Sequence, residues 1–218
     1  MFVMPGSRPA ASPESLVQLL RRAGIHDPWL LDAVQRVPRA GFVPPEWRHR
    51  AYDDVPLPIA HGQVTTQPSL LALMVQALRL RGDERVLEIG TGLGFQTAIL
   101  ASLCREVVSI EWFSDLAEQA HANLAAAGLS NVTVQVGDGS LGASDWAPYD
   151  GIVVAAAALA VSQPLVAQLA EGGRLVQPLG PGGNERVTLF VKRSGQLIED
   201  AVLTGAHFVP LRGAFGIR

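Results

Sequence analysis

The ten residues Val86-Leu87-Glu88-Ile89-Gly90-Thr91-Gly92-Leu93-Gly94-Phe95 restrict this chain more than any other stretch. A short apolar run suited to a buried strand, Arg85–Ile89, gives way to glycine at every second position, and a helical apolar segment follows from Phe95. Glycine lets a backbone turn sharply and approach a ligand closely. A strand, a glycine turn and a helix are the opening of a βαβ unit, so the chain is expected to form a parallel α/β sheet with a ligand at the turn.

The G-x-G-x-G spacing departs from the G-x-G-x-x-G of dinucleotide sites. Glu88 lies inside the motif, where a carboxylate suits a cationic ligand and repels a pyrophosphate. S-adenosyl-L-methionine carries a sulfonium and an ammonium and no phosphate, which makes it the expected cofactor, with a nicotinamide dinucleotide as the competing class. Gly90, Thr91, Gly92 and Gly94 are its expected loop contacts. Glu111 ends the next strand 21 positions after Gly90, close to the ~20 expected of an acid that binds ribose hydroxyls. Asp138 and Gly139, just after a third strand, are placed to read an adenine amino group. Glu88, Glu111 and Asp138 would converge at the carboxyl edge of the sheet, where such folds bind ligands; the alternative is three solvated loop acids.

Around this unit the chain alternates helix and strand. Helices are expected over about Pro68 to Leu80, Phe95–Leu103, Ser114–Ala127 and Pro164–Ala170, and strands over Arg85–Ile89, Glu106–Ile110, Val132–Val136, Tyr149–Ala155 and Arg174–Gln177. Arg186–Lys192 and Gln196–Leu203 alternate about Ser194-Gly195 as a β-hairpin. The expected fold is therefore α/β: a doubly wound, Rossmann-like sheet, mostly parallel, with an antiparallel C-terminal hairpin edge. Ser12-Pro13-Glu14 and Asp27-Pro28 each read as a helix start, giving an N-terminal helical extension. Residues 1–11, rich in Pro, Ala, Gly and Ser, read as a mobile tail, and residues 38–68 as an irregular, proline-punctuated segment that packs down as lid and substrate floor. The division expected is residues 1–67 for helices and lid and 68–218 for the cofactor-binding core, together one structural unit.

Composition narrows the partners. At 218 residues and 48% apolar, the chain supports one buried core. A net charge of −3 offers no basic surface for nucleic acid or membrane. The single cysteine, Cys104, falls in an apolar helical stretch and is expected in the core; it cannot form an intrachain disulfide. The five histidines show no ligand spacing, so no metal is expected, and no histidine–acid pair is evident. No apolar run reaches the roughly 18 residues of a membrane helix and no signal peptide is evident, so the expected location is the cytoplasm and the expected state a monomer.

Beyond the glycine loop the chain resembles the protein-L-isoaspartate O-methyltransferases. The resemblance runs through Val37-Pro38-Arg39-Ala40-Gly41-Phe42-Val43-Pro44, Ala51-Tyr52-Asp53-Asp54 with Pro56-Leu57, Gly62-Gln63-Val64-Thr65-Thr66-Gln67-Pro68, Gly172-Gly173-Arg174-Leu175-Val176 and Phe208-Val209-Pro210-Leu211. It implies methyl transfer to the α-carboxylate of L-isoaspartyl residues in damaged proteins or peptides. That ester closes to a succinimide, which can reopen to normal aspartate. The resemblance implies that Thr66 stands where the family has its active-site serine, with Thr65 and Gln67 as flanking substrate contacts at a helix start and His207 and Phe208 lining the peptide groove. The competing reading makes Thr66 the cap of the helix that starts at Pro68. Val64, Thr65 and Thr66 replace the family's Thr-Ile-Ser, which also keeps open a same-fold methyltransferase for another peptide or small-molecule carboxylate. A cofactor-binding module without activity is the third reading.

Overall fold

The computed structural model describes residues 12–217; the tail expected over residues 1–11 lies outside them. Two helices lead, α1 (Pro13–Arg22) and α2 (Pro28–Arg36), each opened by the cap its sequence announces. The Ser12 hydroxyl accepts from the Ser15 N–H, and Asp27 Oδ1 from those of Trp29 and Leu30, which satisfies amides that the first helical turn leaves without partners. The proline-rich segment then makes short 3₁₀ turns and a two-residue antiparallel pair, β1 (Leu57–Pro58) with β2 (Val64–Thr65).

Helix α3 (Pro68–Leu78) enters the sheet domain. After it come β3 (Arg85–Ile89), α4 (Phe95–Ala101), β4 (Glu106–Glu111), α5 (Ser114–Ala126), β5 (Val132–Val136), β6 (Tyr149–Val154), α6 (Gln163–Gln168), β7 (Leu169–Leu179), β8 (Glu185–Arg193) and β9 (Gln196–Ala206). The seven main strands lie in the order β5-β4-β3-β6-β7-β8-β9. β5 through β7 run parallel, and β8 and β9 complete an antiparallel edge.

Side-chain alternation along each strand divides the core in two. Leu87, Ile89, Val108, Ile110, Ile152 and Val154 pack on the face that α6 covers. Val86, Val107, Val153 and Val176 pack on the other, with apolar residues of α1 to α4. Fully burying such a side chain contributes roughly 1.5–3 kcal/mol, so an ion at Val153, central and fully buried, would break the layer.

Several boundaries differ from expectation, and three of them have a visible cause. Helix α3 ends at Leu78, because Arg79 turns left-handed at φ 57°. Helix α4 ends at Ala101, where the Asn131 amide takes the carbonyls of Ala101 and Cys104. β7 begins at Leu169, earlier than expected: Gly172-Gly173 lies in an irregularity of the β6–β7 ladder, which a local pattern does not read as strand. No helix among the described residues is long and apolar enough to cross a membrane.

Candidate active site

A pocket opens where the chain changes direction across the sheet. β3 has β4 on one side and β6 on the other, and Ile89, Gly90, Ile110, Glu111, Ala155 and Ala156 line the opening from the carboxyl ends of these strands. This switch point is where doubly wound sheets hold ligands. Gly90 and Gly92 take φ of 94° and 56°, conformations costly for residues with a Cβ. A Cβ on Gly139 would collide with Ile89, so glycine there is what lets the loop after β5 lie against β3.

Glu111 sits at the pocket wall, almost fully buried. Its Oε2 accepts the Gly92 N–H at 2.8 Å and its Oε1 the Phe113 N–H at 3.1 Å. Two amides thus fix the carboxylate, and each oxygen keeps a lone pair for a ligand hydroxyl. Leu93, Ile110 and Phe113 supply apolar wall, and Arg212 is the one cationic side chain among the described lining residues. These residues fit a ligand with a flat apolar ring, vicinal hydroxyls and positive charge; they do not form a phosphate cradle of the lysine type.

The other two acids do not reach the pocket. Strand alternation turns Glu88, with Val86, towards α4 rather than the opening, and leaves it with no exposed surface. Its Oε2 accepts the hydroxyls of Thr97 at 2.5 Å and Ser109 at 2.6 Å. Burial pushes this carboxyl up to about 7 against the pull of those hydroxyls. Asp138 is tied into the fold through both oxygens. Oδ1 accepts the N–H and hydroxyl of Ser140 at 2.9 and 2.6 Å, and Oδ2 the Ala214 N–H at 2.7 Å. It staples the C-terminal segment to the loop after β5. Gly94 also lies off the pocket, starting α4 with its backbone close to Leu124. Direct contact of Glu88, Asp138 and Gly94 with a pocket ligand is thus not what the structure displays.

The facing wall is the segment from Ile59 to Thr66. One side chain organises it. Arg39, fully buried, donates from Nη1 to the carbonyls of Ala51 and Asp53 at 2.7 and 3.0 Å. Its Nη2 donates to Val55 O at 3.3 Å and to Thr65 Oγ1 at 3.0 Å. Burial lowers its pKa to about 10, still charged at neutral pH. Thr65 lines the pocket, but its hydroxyl is taken by Arg39 and the Leu57 N–H. Thr66 also lines it, half-buried, and its hydroxyl has no hydrogen-bond partner among the described residues.

Thr66 is not the helix cap. Asp54 takes that role through its bond from the Ser69 N–H at 2.8 Å. Gln67 turns to Asp54 and Ser69, both at 3.0 Å, and not to the pocket. His207 projects into solvent, and Phe208 is buried in the core beside β8. Both miss the pocket because the chain after them bridges to Ala157, through 2.8 and 2.7 Å bonds at Val209 and Leu211. Val209, Pro210, Leu211 and Arg212 line it instead.

The sequence model described as protein-L-isoaspartate(D-aspartate) O-methyltransferase matches residues 11–215. The chain belongs to this family. The protein-L-isoaspartate O-methyltransferase of Methanoculleus marisnigri is 47% identical over 204 residues, spanning 93% of this chain and 92% of its own. That of Myxococcus xanthus is 48% identical over 197 residues, 89% and 93% of the two chains. A solved protein-L-isoaspartate O-methyltransferase superposes with a TM-score of 0.83 at 28% identity, covering 93% of this chain and 67% of its own. A Plasmodium falciparum structure titled as a putative member, in complex with S-adenosyl-L-homocysteine, shares the fold at a TM-score of 0.80 and 23% identity, over 92% and 98% of the chains.

Family membership gives Arg39 its context. Three of the sequence stretches that carry the resemblance meet on this one guanidinium: Arg39 from the first, the carbonyls of Ala51 and Asp53 from the second, Thr65 from the third. An arginine in a proline-rich loop carries no such signal by itself. The structure also pairs His61 with Asp115, where the sequence displayed no histidine–acid pair. His61 Nε2 lies 2.9 Å from both carboxylate oxygens, its ring stacks on Phe113 at 4.1 Å, and Arg212 lies over Phe113 at 5.2 Å. The two residues stand 54 positions apart, a separation that no local spacing rule detects.

Proposed function

We propose that this protein transfers a methyl group from S-adenosyl-L-methionine to the α-carboxylate of L-isoaspartyl residues in damaged proteins, the step that starts their repair. The observation that carries this reading is one cavity lined both by the glycine loop with Glu111 and by Thr66, whose hydroxyl has no partner among the described residues. S-adenosyl-L-methionine, when bound, supplies an electrophilic methyl group. Gly90, Thr91 and Gly92 would hold its amino-acid end, Glu111 its ribose hydroxyls, and Gly139 with Leu93 and Ile110 its ring.

The acceptor carboxylate has an ordinary pKa near ~3.5–4 and is ionised at neutral pH. It needs no general base, which suits a pocket without one in position. Thr66 donates to one carboxylate oxygen and leaves the other to react. Ile59, Val64 and Leu211 give the mouth apolar surface that excludes water. Alignment of this kind can contribute roughly 7–11 kcal/mol. Action in the cytoplasm, as a monomer, on protein or peptide rather than nucleic acid or membrane belongs to the same proposal; the acidic charge balance and single thiol support it.

Val64 stands exposed on the rim where the family resemblance expects threonine, and this favours a second reading: the same transfer to a different peptide or small-molecule carboxylate. Labelled S-adenosyl-L-methionine with a peptide pair differing only in isoaspartate against aspartate decides. Transfer to the isoaspartyl peptide alone supports repair. Intact cofactor binding without that transfer would sink it.

A further inference from the structure

Glu88 raises a question that the pocket leaves unanswered: a carboxylate is costly to bury, and this one is not itself among the residues that line the cavity. Its surroundings form a chain of hydroxyls that leads to the glycine loop. Ser109 Oγ donates to Glu88 Oε2 at 2.6 Å, and Thr91 Oγ1 lies 2.6 Å from Ser109 Oγ. A serine hydroxyl has one hydrogen. While Glu88 is ionised, that hydrogen is committed to the carboxylate, so Thr91 must be the donor to Ser109. Thr91 sits between Gly90 and Gly92, the two left-handed glycines of the pocket floor. A charge beneath the sheet thereby fixes one rotamer in an otherwise permissive loop. Glu111 holds the same loop from the other side through the Gly92 N–H.

We propose that Glu88 is a positioning residue, whose ionised carboxylate acts through Ser109 and Thr91 to hold the glycine loop in its cofactor-binding shape and makes cofactor affinity depend on pH. The proposal rests on the reading of this pocket as the S-adenosyl-L-methionine site. Protonation weakens the relay wherever the proton goes. On Oε2 it opposes the two incoming hydroxyl hydrogens. On Oε1, which has no hydrogen-bond partner among the described residues, it removes the charge that strengthens both bonds.

The groups facing Glu88 can be named. Helix α4 brings Thr97 and Gln96, neither of which ionises, and Gln96 draws the carboxyl towards ionisation. β4 brings Ser109 and, two residues on, Glu111, whose charge raises the Glu88 pKa. β6 brings Val153, its register partner, and α3 adds Leu71, Met74, Val75 and Leu78 to the same apolar core. Desolvation is the largest influence and places the transition near pH 7.

The test is calorimetric titration of the full chain with S-adenosyl-L-homocysteine between pH 5.5 and 8.5. Wild type is expected to lose about tenfold in affinity as pH falls through 7, the difference between a charge-assisted and a neutral hydrogen bond. Glu88→Gln and Thr91→Val should bind at the weaker level and lose that transition. Thr91→Ser, which keeps the hydroxyl, should retain it. Reading each variant against wild type cancels the ligand's own titration, and melting curves confirm that each is folded. A transition unchanged in Glu88→Gln and Thr91→Val, or absent from wild type that binds well, would overturn the relay. Should Glu88→Gln fail to fold, Thr91→Val against Thr91→Ser decides alone. Wild type that binds no S-adenosyl-L-homocysteine at any pH overturns the cofactor reading itself, and the relay with it.

Discussion

The two walls of the pocket are built on opposite plans. The floor, from Arg85 to Glu111, is regular structure whose glycine loop is held by a set of partnered groups: Gly92 with Glu111, Thr91 with Ser109, Ser109 with Glu88. The facing wall, from Ile59 to Thr66, is irregular chain held from behind by one buried arginine, and its Thr66 hydroxyl has no partner among the described residues. The first plan suits a ligand that is always the same, because preset donors and acceptors lose little freedom on binding. The second suits a peptide whose flanking residues vary. On this view, damage to the floor should appear in cofactor affinity, and damage to the facing wall in turnover of the acceptor.

Arg39→Ala tests that division most severely. It deletes the donor to several backbone carbonyls and Thr65 at once. Leaving buried groups of this kind without partners costs about 3–5 kcal/mol, or roughly 10 °C in melting temperature for a chain of this size. Methyl transfer should be lost. Arg39→Lys should recover little, since one ammonium cannot reproduce the fork. A variant that melts like wild type and still turns over would show that the wall holds itself.

A crossed pair of substitutions sharpens the comparison. Glu111→Ala should weaken S-adenosyl-L-homocysteine binding by about a hundredfold, two charge-assisted hydroxyl bonds being lost. Thr66→Val should lower kcat/KM for an isoaspartyl peptide by roughly tenfold to fiftyfold and leave that binding constant unchanged. If both variants lose the same quantity, the two walls are one functional unit and the division fails.

The floor was far more legible in sequence than the wall, and the reason is locality. Strand, glycine turn, helix and the acid 21 positions on lie within one βαβ unit, where spacing fixes geometry. Even so, spacing placed Glu88 at the ligand, and alternation along β3 turns it inward. The facing wall depends on contacts across longer loops: Arg39 with Thr65, His61 with Asp115. Neither pairing has a period to detect. At the C-terminus Val209 to Arg212 line the pocket in place of His207 and Phe208, because the bridge at Ala157 sets which side chains face it.

Glu88 predicts a trade-off within the floor. Its folded pKa is raised from 4.5 to about 7, so its contribution to stability is full below pH 4.5 and is lost as pH rises through 7. Replacing it with neutral glutamine should therefore raise the melting temperature at pH 8, with a gain of at most about 3 kcal/mol. Below pH 5 the two proteins should converge. A glutamine variant less stable than wild type at pH 8 would mean that the hydroxyl bonds outweigh desolvation, and that the charge is held for the fold.

The smallest effect expected concerns the edge at which the two walls meet. His61, on the acceptor side, stacks on Phe113, on the cofactor side, at 4.1 Å with the rings 3° from parallel, and pairs with the exposed Asp115. Asp115 has its pKa lowered by that histidine, so its carboxylate stays ionised to a lower pH than an ordinary aspartate. Exposed ion pairs contribute little and are screened by salt, whereas ring stacking is insensitive to salt. If stacking is what joins the walls, His61→Phe should keep the wild-type KM for the peptide, and His61→Ala should raise it roughly threefold at low and high salt alike. Asp115→Asn should then change little. If Asp115→Asn matches His61→Ala at low salt and both effects vanish in high salt, charge and not stacking closes the edge, and the two walls are coupled by the weaker of the two available forces.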